Sequence, residues 1–148
     1  MIKNTGEELK SWLEDKNFQK HIDKLAKKFK NKRIIIYGAG LLAALISENY
    51  NLSGLNIIGF ADKKFLSGNE KYKTYNAVPA LNIAEYNPDV ILFATFFSYD
   101  VRNFIYEKYP ELSRKIHMES LVKKNFEEKI YEFCYQLANM NICKEKCL

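Results

Sequence analysis

The chain has 148 residues, 47% hydrophobic and 28% charged, a balance that excludes an intrinsically disordered chain and suits one domain with a buried core. No apolar run is long enough to span a bilayer, and residues 1–8 hold no apolar stretch able to act as a signal peptide, so a cytoplasmic protein is expected. The net charge of +5 comes entirely from residues 1–33, with ten Lys/Arg against five Asp/Glu; such a mixed helix face is expected to be a solvated surface, and nucleic acid is not expected as a partner.

In chain order, Thr5 with Glu8 three positions on matches a capping box. Leu9, Trp12 and Leu13, then Phe18, Ile22, Leu25, Ala26 and Phe29, recur at helical spacing, which predicts one or two amphipathic helices with Asn17 as a cap or a kink. The period then changes. Arg33-Ile34-Ile35-Ile36-Tyr37 is a continuous run rich in β-branched residues, the signature of a strand buried on both faces. Gly38-Ala39-Gly40 ends it, and a helix is predicted over 41–50. A second strand is predicted over 56–61, stopped by Asp62, followed by a surface loop over 63–74 and a short strand over 75–78. Pro79 opens a helical turn, and 90–94 is a third buried strand. Ser98 caps a helix over 99–109 that Pro110 stops. A last short strand is expected over 115–118, and Ser120 caps a C-terminal helix running towards Leu137.

Strand and helix alternate, which predicts an α/β domain of three layers: a parallel sheet of about five strands flanked by N- and C-terminal helices. The chain divides into a helical extension (1–31), a core (32–118) and a C-terminal helix and tail (119–148).

Ligands of such sheets bind beyond the strand C-termini, where the strand order reverses. Gly38 to Ala43 reads G-x-G-x-x-A between a buried strand and a helix. Its first glycine allows a tight turn, and Gly40 lets a phosphate approach the backbone. Leu41 and Leu42 open the helix, whose unpaired N–H groups and dipole favour an anion. The alternative is a tight turn that no longer holds a ligand. Asp62 stands where an acid accepts hydrogen bonds from ribose hydroxyls, or else it caps the loop that begins there. Lys63 and Lys64 either neutralise a phosphate or are solvated. Thr95 offers a hydroxyl, and Phe96 or Phe97 an aromatic face for a base or sugar, unless these aromatics belong to the core.

Other chemistry is missing. None of the ten tyrosines has a lysine four residues later, and neither a nucleophile elbow nor a P-loop lysine occurs. His21 falls on the basic helix, and His117 on the last strand reads as a core histidine. Cys143 and Cys147 could form half of a metal site with Cys134 or His117, but thiols of a terminal helix are the simpler account. Neither a metal nor catalytic residues are expected.

The strand and turn over Lys32–Gly40, the segment Ile57–Asp62 and the run Asn87-Pro88-Asp89-Val90-Ile91-Leu92-Phe93-Ala94 together resemble the Rossmann-like domain at the N-terminus of sugar-nucleotide-dependent acyltransferases. Similar domains occur in polysaccharide-biosynthesis dehydratases and epimerases. The resemblance covers about residues 32–118, with Ala43 where a third glycine is common. It implies NAD(P) or the nucleotide part of a UDP-sugar as ligand, with the glycine turn on phosphate and Asp62 on the nucleoside. The expected function is a nucleotide-binding module of polysaccharide or carbohydrate metabolism without a complete active site of its own. The alternatives are the cofactor-binding part of an oxidoreductase or epimerase completed by a partner, and a degenerate domain used for assembly, as a homo-oligomer or with a partner protein.

Overall fold

Ile34, Ile35, Ile36 and Tyr37 are all buried, so strand β1 (Ile34–Tyr37) must be covered on both faces. The computed structural model describes residues 5–96 and 98–122, and it provides that cover with a helical layer on each side of a sheet. Helices α1 (Thr5–Asp15) and α2 (Phe18–Lys28) precede β1, and α3 (Leu41–Asn49) leads to β2 (Ile57–Asp62). Next come β3 (Lys71–Tyr72), β4 (Tyr75–Pro79), a 3-10 segment (Ala80–Tyr86) and β5 (Val90–Phe93). Helices α4 (Ser98–Lys108) and α5 (Pro110–Lys115) lead to β6 (His117–Ser120).

The strand order is β3-β4-β2-β1-β5-β6. Five strands run parallel, and β3 pairs antiparallel with β4. From β1 the chain moves outward to β2 and β4, then returns to the other side of β1 as β5 and β6. The order therefore reverses between β1 and β5, and all five parallel strands end on one edge.

Alternation along the strands sorts the core into two layers. Ile34 and Ile36 of β1, Phe60 of β2, and Val90 and Leu92 of β5 face α1, α2 and α3, which contribute Leu13, Phe18, Ile22, Leu25, Leu42 and Ile46. Ile35, Tyr37, Ala61, Ile91 and Phe93 face the opposite side, where Ile83 of the 3-10 segment and Ile105 of α4 meet them. The ion pairs Lys28–Glu119 and Lys73–Glu48 lie at the surface, where solvent screening leaves them little to contribute. Burying one isoleucine is worth about 2 kcal/mol, so apolar layering holds this fold.

Several expectations are corrected. The sheet has six strands, not about five, because residues 71–72 inside the expected surface loop pair with β4 in a tight hairpin whose turn holds Lys73 at φ 54°. Pro110 does stop α4, but it also opens α5 as an N-terminal helical residue, where its missing N–H costs nothing. Since α5 runs to Lys115, the last strand starts at His117, two residues later than expected, and Ser120 lies inside it with its hydroxyl donating to the Val122 carbonyl. His117 is exposed and 3.1 Å from Glu119, not a core residue. The expected amphipathic helices of 1–31 are α1 and α2, and they supply much of one core layer. Asn17, between them, takes the left-handed conformation at φ 52°. The expected C-terminal helix and Cys134, Cys143 and Cys147 lie outside the described residues. Among the described residues no helix is long and apolar enough to cross a membrane.

Gly59 of β2 sits so close to β4 that a Cβ there would lie 2.6 Å from Val78 Cγ2 and 3.0 Å from the Asn76 carbonyl oxygen. Gly59→Ala should therefore cost about 1–3 kcal/mol by overpacking. Because the clash is shared with Val78, the Gly59→Ala/Val78→Ala double variant should lose less than the sum of the two single variants. Urea denaturation of all three proteins measures this coupling.

Candidate functional site

The turn after β1 is built around a residue that has to be glycine. Gly38 has φ +125°, and a Cβ on it would lie 2.5 Å from the Ala94 carbonyl oxygen. Its N–H donates to the Ala61 carbonyl at 2.8 Å, so it is wedged between the end of β2 and the end of β5. Gly40 differs. It stands at the N-cap of α3 with φ −90°, and a Cβ there would meet nothing within 4 Å. Neither packing nor backbone conformation demands glycine at 40, and its bare face borders open space. The first N–H groups of α3, from Leu41 on, have no acceptor within the helix.

Asp62, the last residue of β2, holds this turn from the side. One carboxylate oxygen accepts the Ala39 N–H at 2.9 Å, and the other accepts the Lys64 N–H at 3.0 Å. The second contact spans two residues, as aspartate does when it initiates a turn. It folds Lys64 back so that its ammonium donates to the Ala39 carbonyl at 2.6 Å. Both polar groups of Ala39 are thus engaged by the 62–64 segment, and a cation stands at the glycine turn. The same ammonium lies 5.7 Å and 6.0 Å from the rings of Phe65 and Tyr72.

Gly38, Ala39, Gly40, Leu41, Leu42, Asp62, Thr95 and Phe96 line one cavity of about 400 Å³, together with Leu9 and Ala94. The structure therefore brings together eight of the nine expected site residues. Lys63 is not among them. Its ammonium lies 5.0 Å from the Phe104 ring, and it lines a second cavity of about 310 Å³ with Phe65, Leu66, Ala80 and Leu81. The lysine at the turn is Lys64, and the turn-forming habit of Asp62 is the sequence signal that selects it. Leu9, from α1, is a wall that sequence reasoning missed. Its neighbour Trp12 meets Phe96 with ring centroids 6.2 Å apart, which places Phe96 between the cavity and the N-terminal helix.

Behind the turn, on the other sheet face, the Tyr37 hydroxyl is buried and finds no hydrogen-bond partner among the described residues. Burial, reinforced by the negative charge of Asp62 and by Tyr109, pushes its pKa up to about 12. Among the described residues no three His, Cys, Asp or Glu side chains cluster as metal ligands. No family model matches the chain, and no curated protein or solved structure is significantly similar to it.

The two glycines should respond oppositely to a methyl group. Gly38→Ala should cost about 3 kcal/mol, the price of strain and collision together, whereas Gly40→Ala should cost less than about 1 kcal/mol. Chemical denaturation of both variants checks this. Tyr37 supplies a pH test. An unfolded tyrosine ionises near pH 10 and the folded one near 12, so the stability tied to the neutral phenol is complete below pH 10 and is lost as pH rises towards 12. Tyr37→Phe should flatten that alkaline loss and leave the melting temperature at pH 7 unchanged or higher, because it removes an unpaired buried hydroxyl. Thermal melts between pH 7 and 11.5 measure both effects.

Proposed function

We propose that the chain is a Rossmann-like nucleotide-binding module whose ligand sets its phosphate against Gly40 and the first amides of α3. The observation that carries this reading is Gly40: a glycine with no steric or conformational need, bordering a cavity at the point where the strand order reverses. An anion there meets the N-terminal end of a helix dipole, and Lys64 adds a positive charge beside it. Asp62 is engaged by two amides, yet each of its oxygens keeps a second lone pair for a ribose hydroxyl. Phe96, exposed by 40%, offers a face for a base or sugar.

Among the described residues that line the cavity, Asp62 and Thr95 carry the polar side chains, and both are placed to hold a ligand. The ligand class is NAD(P) or a sugar nucleotide. The resemblance of the glycine turn and of residues 57–62 and 87–94 to sugar-nucleotide enzymes supports a place in polysaccharide or carbohydrate metabolism.

A thermal-shift panel of NAD, NADP, ADP, UDP, UDP-sugars and CoA tests the reading. A ligand at a hundred times its dissociation constant stabilises the fold by about 2.7 kcal/mol, a shift of several degrees for a domain of this size. Gly40→Val should fold with a melting temperature near that of the parent and lose the ligand-induced shift, and Asp62→Ala should weaken it. A flat panel from folded protein overturns the proposal and favours assembly, for which Leu66 and Leu81, exposed by 87% and 64% beside the second cavity, are the surface to examine.

A further inference from the structure

A dinucleotide needs two stations, one on each side of the point where strand order reverses. The first is the Gly38–Gly40 turn with Asp62, on the β1–β2 side. The second would lie beyond the ends of β5 and β6, and the N-terminal helices occupy that side. Trp12 of α1 meets Phe96, which follows β5, and Leu9 of the same helix forms a wall of the cavity. Leu13 is fully buried in the core, so α1 is anchored there. Leu121 and Val122, which follow β6, are buried in the same core layer as α2, with the Leu121 carbonyl 3.0 Å from His21 Nε2.

We infer that the site takes a ligand carrying a single nucleoside with its phosphates, and that α1, through Leu9 and Trp12, excludes a dinucleotide; this rests on the nucleotide-binding reading above. A second ribose and base on that side would meet Leu9 and the bulk of Trp12, which occupy the space and offer few hydrogen bonds in return for the water lost. On the β2 side the wall is the Asp62 carboxylate, and the next residue, Lys63, lines a second cavity with Asn82 and the apolar side chains Phe65, Leu66, Ala80 and Leu81. Specificity is then set by the N-terminal helix and not by the glycine turn, whose backbone contacts are indifferent to what the phosphate carries.

Isothermal titration of the full chain with ADP, UDP, UDP-sugars, NAD and NADP tests this. ADP or UDP should bind at least about tenfold more tightly than NAD. Leu9→Ala and Trp12→Ala should narrow that ratio by strengthening NAD relative to ADP and UDP. Leu9 is only partly buried, so its variant keeps the fold, and circular dichroism melts check Trp12→Ala. NAD binding to the parent chain as tightly as ADP would overturn the inference and leave the nucleotide site standing. A ratio that neither substitution alters would overturn the role of α1. Flat titrations with every nucleotide, by contrast, would remove the nucleotide-binding reading and this inference with it.

Discussion

At the end of β1 the backbones of three strands converge on a residue without a side chain. Gly38 accepts its place because its N–H reaches Ala61 at the end of β2 while its α-carbon presses towards the Ala94 carbonyl at the end of β5. Ala94 in turn donates its N–H to the Tyr37 carbonyl at 2.8 Å. The positive φ turns the chain out of the sheet and into α3 within two residues. Everything at the sheet edge follows from that turn: where α3 begins, how far the ends of β2 and β5 stand from it, and which amides face the crevice. A side chain at 38 would separate β1 from β5 at the point where the strand order reverses.

The opposite edge is held by polar contacts. Arg33 exchanges backbone and side-chain hydrogen bonds with Asp89 at 2.8 Å, and its guanidinium reaches the carbonyls of Tyr86 and Asn87. These contacts bring β1 and β5 into register before their apolar residues begin, so that Ile34 faces Val90 and Tyr37 faces Phe93. Between the two edges the energy is apolar, and the two helical layers bury the alternate faces of the same four-residue strand.

The glycine turn is preorganised. Asp62 and Lys64 hold the N–H and the carbonyl of Ala39 from one short segment, so an arriving ligand would not have to order the peptide that cradles it. Asp62 therefore has a structural task whatever it does for a ligand, and its loss would loosen the turn as well as remove an acceptor. The buried Tyr37 hydroxyl behind the turn is a different matter. It is buried without a hydrogen-bond partner among the described residues.

Local signals determined most of the elements. The unbroken apolar runs at 34–37 and 90–93 can exist only as strands covered on both faces, and glycine at 38 follows from the abrupt change from strand to helix. The periodicity of residues 9–29 likewise announced one or two helices with an apolar stripe, and the structure resolves this as two, broken at Asn17. Eight of the nine expected residues line one cavity for the same reason: each lies at the end of a strand or the start of a helix, and a parallel sheet brings such ends to one edge. What only tertiary structure decided concerns contacts between segments remote in the chain. The β3 hairpin was hidden because two polar residues carry no periodicity, and their strand character comes from pairing with β4. Whether Lys63 or Lys64 serves the turn depended on how Asp62 folds the loop around Ala39, some 23 residues earlier. The wall that α1 builds beside Phe96 depended on helix packing across more than 80 residues of chain, which no local pattern encodes.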